Sequence, residues 1–162
     1  MLQTLPAFAY AYGSKPNPVE REIIAVLQSK TADLAIIREG RYTRSQDIEK
    51  ILQQGLSDLG FIRSATVSHV AGLFAPRSDF EIDFFHPELK VAIEVEKGKH
   101  FNFWRNLVKF CESPLVEHGV LLVPYQRTGS KGSEFIFPNM MDSLKNVEAL
   151  YEKVSSVLCF GY

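Results

Sequence analysis

Two short runs near the middle of the chain, Asp79-Phe80-Glu81-Ile82-Asp83-Phe84 and Ala92-Ile93-Glu94-Val95-Glu96, alternate polar and apolar residues. A period of two belongs to strands and not to helices. Between them lies His86-Pro87-Glu88-Leu89-Lys90, a turn composition with proline and a charged pair. The spacing therefore predicts a β-hairpin. In it Glu81, Asp83 and Phe85 share one face, with Ile82 and Phe84 opposite. Val91, Ile93 and Val95 share a face, leaving Ala92, Glu94 and Glu96 on the other. Antiparallel pairing then brings Asp83 close to Glu94, with Glu96 one step along. Carboxylates this close repel, and desolvation makes the repulsion worse.

A divalent cation answers that repulsion. Mg²⁺ takes oxygen ligands from one or two carboxylates, keeps several waters and leaves positions open for phosphate. Such an ion serves phosphodiester hydrolysis by acidifying a water and neutralising charge on the phosphate. The competing reading makes these acids the solvated face of an ordinary half-buried hairpin. The next segment favours the first reading. Lys97-Gly98-Lys99-His100 follows Glu96 directly, and no acid occurs from Lys97 through Cys111, while Arg105 and Lys109 add two cations. A phosphate backbone led to a carboxylate-bound metal needs flanking cations of this kind.

The string Ile82-Asp83-Phe84, a short turn, then Val91-Ala92-Ile93-Glu94-Val95-Glu96 with Gly98-Lys99 behind it resembles the active-site hairpin of the PD-(D/E)XK nuclease superfamily. More narrowly it resembles type II restriction endonucleases of the BglII/BamHI kind, where Glu stands at the third position of the motif instead of Lys, as Glu96 does here. The similarity runs from about Phe80 to Ser133, through the helix at Arg105–Phe110, the strand at Gly119–Pro124 and the loop Thr128–Ser133. The resemblance implies Asp83 and Glu94 as metal ligands and Glu96 as the group that orients the attacking water or joins the metal shell. It implies Mg²⁺ as cofactor, with Mn²⁺ as substitute, double-stranded DNA as substrate and a homodimer as the working unit. Lys97, Lys99, His100, Arg105, Arg127 and Lys131 are the candidate DNA contacts. An upstream group assisting the metal stays open among Ser68, His69 and Asp79.

The rest of the chain is compatible with one nuclease domain over residues 1–162, with 1–40 as an N-terminal helical extension packed on the core. At 162 residues, roughly two thirds of the unfolded surface can be buried. Asn17-Pro18 predicts the start of a first helix running to about Ser29, and Thr43 with Gln46 predicts a capping box for a second ending near Gly60. Phe61 to Val70 reads as a strand, Asn102 to about Glu117 as a helix, Val120 to Val123 as a strand and Met141 to Leu158 as a closing amphipathic helix. The order α-β-β-β-α-β gives an α/β, restriction-endonuclease-like core, a central mixed sheet flanked by helices. Phe101, Phe103, Trp104 and Phe110 read as core before base-stacking platforms, and His118 as structural. A formal net charge of −1 speaks against bulk nucleic-acid binding but allows a focused basic groove. Two distant cysteines suit a reduced, cytoplasmic setting, and no stretch reads as a membrane span.

The reading that gathers most of these signals is a Mg²⁺-dependent, sequence-specific DNA endonuclease, with a cognate DNA methyltransferase as a separate partner. The alternatives are a repair or structure-selective nuclease of the same fold, and a DNA-binding module without catalysis. Mg²⁺-dependent cutting separates the last from the first two, and branched substrates separate the second from the first.

Overall fold

The computed structural model describes residues 6–40, 43–97 and 102–162. The chain opens with strand β1 (Ala7–Gly13) and continues through helices α1 (Glu20–Ser29), α2 (Thr31–Glu39) and α3 (Ser45–Asp58). Strands β2 (Ile62–Ala65), β3 (Ile82–His86) and β4 (Val91–Val95) lead to α4 (Asn102–Glu112) and β5 (His118–Val123). A small ribbon, β6 (Arg127–Gly129) and β7 (Gly132–Glu134), precedes α5 (Ile136–Leu144), a 3₁₀ turn (Glu148–Lys153) and β8 (Ser156–Gly161). The six-stranded sheet has the order β1-β8-β5-β4-β3-β2. It is mixed: β4, β5 and β8 run parallel, while β2–β3, β3–β4 and β1–β8 pair antiparallel. The expected run of α-β-β-β-α-β appears as α3 through β5.

Helices cover both faces, so the central strands are apolar on both sides. On one face Ile23 and Leu27 of α1, Leu34 and Ile37 of α2 and Ile48, Leu52 and Leu56 of α3 pack on Phe84, Ile93, Val120, Leu122 and Phe160. On the other, Phe103, Leu107 and Phe110 of α4 and the apolar side of α5 pack on Phe85, Ala92, Leu121, Val157 and Cys159. Gly119 lets α4 lie this close to β5, since a Cβ there would come within 2.3 Å of the Phe110 ring. Trp104 packs at the edge of the same cluster. Phe103 and Phe110 are therefore core, as read, while Phe101 lies outside the described residues.

Several expected elements differ. The closing helix is two pieces and a strand: Val157 to Phe160 is an unbroken apolar run, which suits a parallel strand covered on both faces better than a helix with one stripe. Residues 1–40 are not purely a helical extension, because Ala7–Gly13, alternating alanine with aromatic residues, forms the edge strand β1 against β8. The α3 start lies one residue beyond the expected box: Asp47 Oδ2 accepts from the Arg44 N–H at 2.7 Å. Thr43 instead donates to the Ile37 and Gly40 carbonyls, closing the unanticipated α2. The long strand expected to Val70 stops at Ala65, and α4 stops at Glu112 because Ser113 precedes Pro114. Among the described residues no helix is long and apolar enough to cross a membrane.

Candidate active site

The hairpin β3–β4 pairs Phe84 with Ile93, Phe85 with Ala92 and His86 with Val91. One more step along that register sets Asp83 opposite Glu94, and there the backbone ladder gives way to side chains. Asp83 Oδ2 accepts from the Val95 N–H at 2.7 Å, and the Asp83 N–H reaches Glu94 Oε1 at 3.4 Å. The alternation read from sequence also breaks at this point, since Ile82 turns into the α4-side core while Phe84 stays in the opposite one. The hairpin thus opens where its acids meet, and the opening forms a cavity of about 390 Å³.

Helix α4 supplies the other wall. Asn102, Asn106 and Lys109 stand at i, i+4 and i+7, one helix face, adjoining the buried stripe of Phe103, Leu107 and Phe110. Asn102 Nδ2 and Asn106 Nδ2 donate to the two carboxylate oxygens of Glu96 at 3.1 and 3.2 Å. The Lys109 ammonium donates to Glu94 Oε2 at 2.9 Å, and both members are buried. From α3, Glu49 faces the cavity while its Oε2 accepts from Arg63 Nε and Nη2, and Arg63 also donates to Gln53. Asp79, Glu81 and Arg105 line the outer rim.

The electrostatics follow from burial. Desolvation pushes Asp83 up to about 7; the Val95 N–H opposes this, and the charge on Glu49 adds to it. Burial and the charge of Asp83 push Glu94 up to about 8, outweighing the attraction of Lys109. A buried Glu94 and a half-buried Asp83 face one buried ammonium, so the pocket is short of positive charge whenever both ionise. Among the described residues no three acid, His or Cys side chains already converge as a cage. Two approaching carboxylates beside solvent-filled space are the donor set that Mg²⁺ takes while keeping waters, so the residues present fit such an ion.

The three acids read from sequence, Asp83, Glu94 and Glu96, line this one cavity. Of the candidate DNA contacts, Arg105 lies exposed on its rim, and Arg127 and Lys131 lie exposed on the β6–β7 ribbon. Lys97 is turned to protein acceptors: its ammonium donates to the Gly40 carbonyl, to the Thr43 carbonyl at 2.8 Å and to the Thr43 hydroxyl. Lys99 and His100 lie outside the described residues. Asp79 reaches the rim, whereas His69 and Ser68 bond within the turn at Thr66. His118 is buried against the Ser156 hydroxyl at 2.8 Å, a core pair.

Sequence reasoning missed Asn102, Asn106 and Glu49 and read Lys109 only as one cation of a basic stretch. The i, i+4, i+7 spacing on α4 was the available signal for the first two and for Lys109. Nothing local marks Glu49, which an intervening strand brings to the site through Arg63.

The whole chain, residues 1–162, matches the model of a family described as "Putative halobacteria restriction endonuclease". No curated protein matches the chain, and no solved structure does.

Proposed function

The chain belongs to that restriction endonuclease family, and on this premise we propose that it is a Mg²⁺-dependent endonuclease that hydrolyses phosphodiester bonds of double-stranded DNA at a specific sequence. One observation carries the reading: a buried Glu94 and a half-buried Asp83 stand together with a single lysine, and both acids are raised above the ordinary carboxylate range, as a solvated hairpin face would not raise them. A protein interior holds such a pair at a cost in stability unless a cation completes it.

Asp83 and Glu94 would hold the ion. Once bound, it supplies Lewis-acid charge to the scissile phosphate and an acidified water. The chain's own groups do the rest. Glu96, clamped by Asn102 and Asn106, offers a fixed carboxylate toward the attacking water, and the clamp stops it from collapsing onto Lys109. The Lys109 ammonium balances Glu94 and stands within the cavity as a donor to the charge that develops on the phosphate. Arg105 meets the backbone at the rim. The exposed β6–β7 ribbon, carrying Arg127 and Lys131, is the element narrow enough to enter a major groove, and base reading is assigned to it. A two-fold dimer would match a palindromic site, and Mn²⁺ would substitute for Mg²⁺. Cytoplasmic placement and a separate cognate methyltransferase complete the proposal. The D…E-x-E pattern supports kinship with the BglII/BamHI kind, with Lys109 taking the balancing role from the α4 side.

The test is cleavage of several unmethylated phage and plasmid DNAs with Mg²⁺ and with EDTA, alongside Glu94→Ala. Discrete Mg²⁺-dependent fragments that vanish in the variant are expected. Cutting retained by Glu94→Ala would remove the site; cutting of branched substrates alone would turn the reading to a structure-selective nuclease.

A further inference from the structure

Beside the carboxylate pocket lies a larger cavity of about 720 Å³, and the two share Ser45, Glu96 and Asn102 as a common wall. Its lining is basic: Arg38, Arg44, Lys97 and Arg127, against Glu39 and Glu96. Both acids are already engaged. Glu39 sits 3.4 Å from Arg38, and Glu96 is held by the two asparagine amides. Lys97 is spent on Gly40 and Thr43, where it pins the segment leading into α3 to the end of β4. That leaves Arg44 and Arg127, both exposed and both lining this cavity; among the described residues neither makes an ion pair. Arg127 also lines the small depression along the β6–β7 ribbon, so the cleft borders both the acid pocket and the ribbon.

Resting on the proposed endonuclease function, we infer that this cleft is the binding site for the phosphodiester backbone flanking the bond to be cut, gripped by Arg44 and Arg127 and leading the strand from Glu96 to the ribbon. The chemistry is that of a polyanion. Two exposed guanidinium groups line one cavity, and each offers bidentate donors to phosphate oxygens. The first turn of α3, at Ser45, opens onto the same space and adds backbone donors. The assignment moves the principal contact from Lys97, whose ammonium braces the wall, to Arg44.

The experiment measures binding of a fluorescein-labelled duplex, taken from DNA that the wild-type protein cuts, by anisotropy across a salt series. Each protein carries Glu94→Gln so that nothing is cleaved. Each lost phosphate contact lowers the slope of log K against log salt by about 0.9, which at 0.1 M salt is about tenfold in affinity. Arg44→Ala/Arg127→Ala should make the slope shallower by about two and weaken binding about tenfold per arginine. Arg44→Lys/Arg127→Lys should keep most of the slope, and Lys145→Ala, an exposed lysine away from the cleft, should change neither quantity. If the double alanine variant binds like Lys145→Ala while the wild type cuts DNA, this inference falls and the endonuclease stands. The inference also falls if the double lysine variant loses as much slope as the alanine one. If the wild type neither binds nor cuts any DNA, the endonuclease reading falls and takes the cleft with it.

Discussion

The carboxylate pocket and the basic cleft share a wall but have opposite electrostatic problems, solved differently. In the pocket the charges are buried or half-buried, and the acids outnumber the lysine that faces them. In the cleft the charges lie near solvent, and the arginines outnumber free acids. Buried charge is expensive and so must be matched by something placed accurately, such as a metal ion; exposed charge is cheap and serves to attract and release. Glu96 and Lys97, adjacent in sequence, face these two worlds. Glu96 is clamped by amides for the pocket, and Lys97 is tied to Thr43 to hold the cleft open.

Removing an acid of the proposed metal site should break the comparison most completely. Glu94→Gln is expected to lower cleavage by more than the about 10- to 100-fold that follows loss of a supporting partner, and Asn102→Ala or Asn106→Ala should fall within that smaller range. Single-turnover rates at saturating DNA separate the two cases. Equal losses would mean that Glu94 is only another support.

Lys109→Met should be the largest effect on stability. Above about pH 8, where Glu94 is ionised, it strands that charge, and breaking a buried pair costs about 3 kcal/mol, roughly 10 °C in Tm for a chain of this size. Added Mg²⁺ should return part of that loss. A variant as stable as wild type at that pH would show that Lys109 does not balance Glu94.

Protonation sharpens the contrast between the regions. Both pocket acids have folded-state values raised above the ordinary carboxylate range, to about 7 and about 8. Between the usual values near 4 and these raised ones the folded protein holds more protons than the unfolded chain, so its stability falls as pH rises. The metal-free Tm should therefore decline from about pH 4 to about pH 8. Asp83→Asn should flatten part of the decline, and Mg²⁺ should oppose it at the alkaline end, where both carboxylates are free to bind. A metal-free Tm that rises across this window would contradict the pocket electrostatics.

The smallest expected effect concerns the cleft wall. Thr43→Val removes an acceptor from Lys97 and two hydrogen bonds that close α2. About 1 to 2 kcal/mol of stability should be lost, with KM for DNA rising more than kcat falls.

The hairpin was legible because alternation, a proline turn and three acids coincide within a few residues, and the register that joins Asp83 to Glu94 follows from that pattern alone. The β8 strand was not, because an apolar run without gaps suits a buried helix and a buried parallel strand equally. The Glu49–Arg63 pair lies beyond local reading for another reason: it depends on α3 and β2 meeting in space. Lys109 falls between these cases. Its spacing from Asn102 and Asn106 sets it on one face of α4, but only the packing of Phe110 against Gly119 turns that face toward the acids.

The most direct test of the central claim, that Asp83 and Glu94 form a divalent-cation site, is titration calorimetry of Mg²⁺ into the wild type and Asp83→Asn, repeated in buffers of different ionisation enthalpy near neutral pH. The account predicts saturable binding to the wild type with net proton release, as the ion displaces protons from the raised-pKa carboxylates into the buffer, and loss of both in Asp83→Asn. Mg²⁺ binding of equal strength and equal proton release in the two proteins would contradict it.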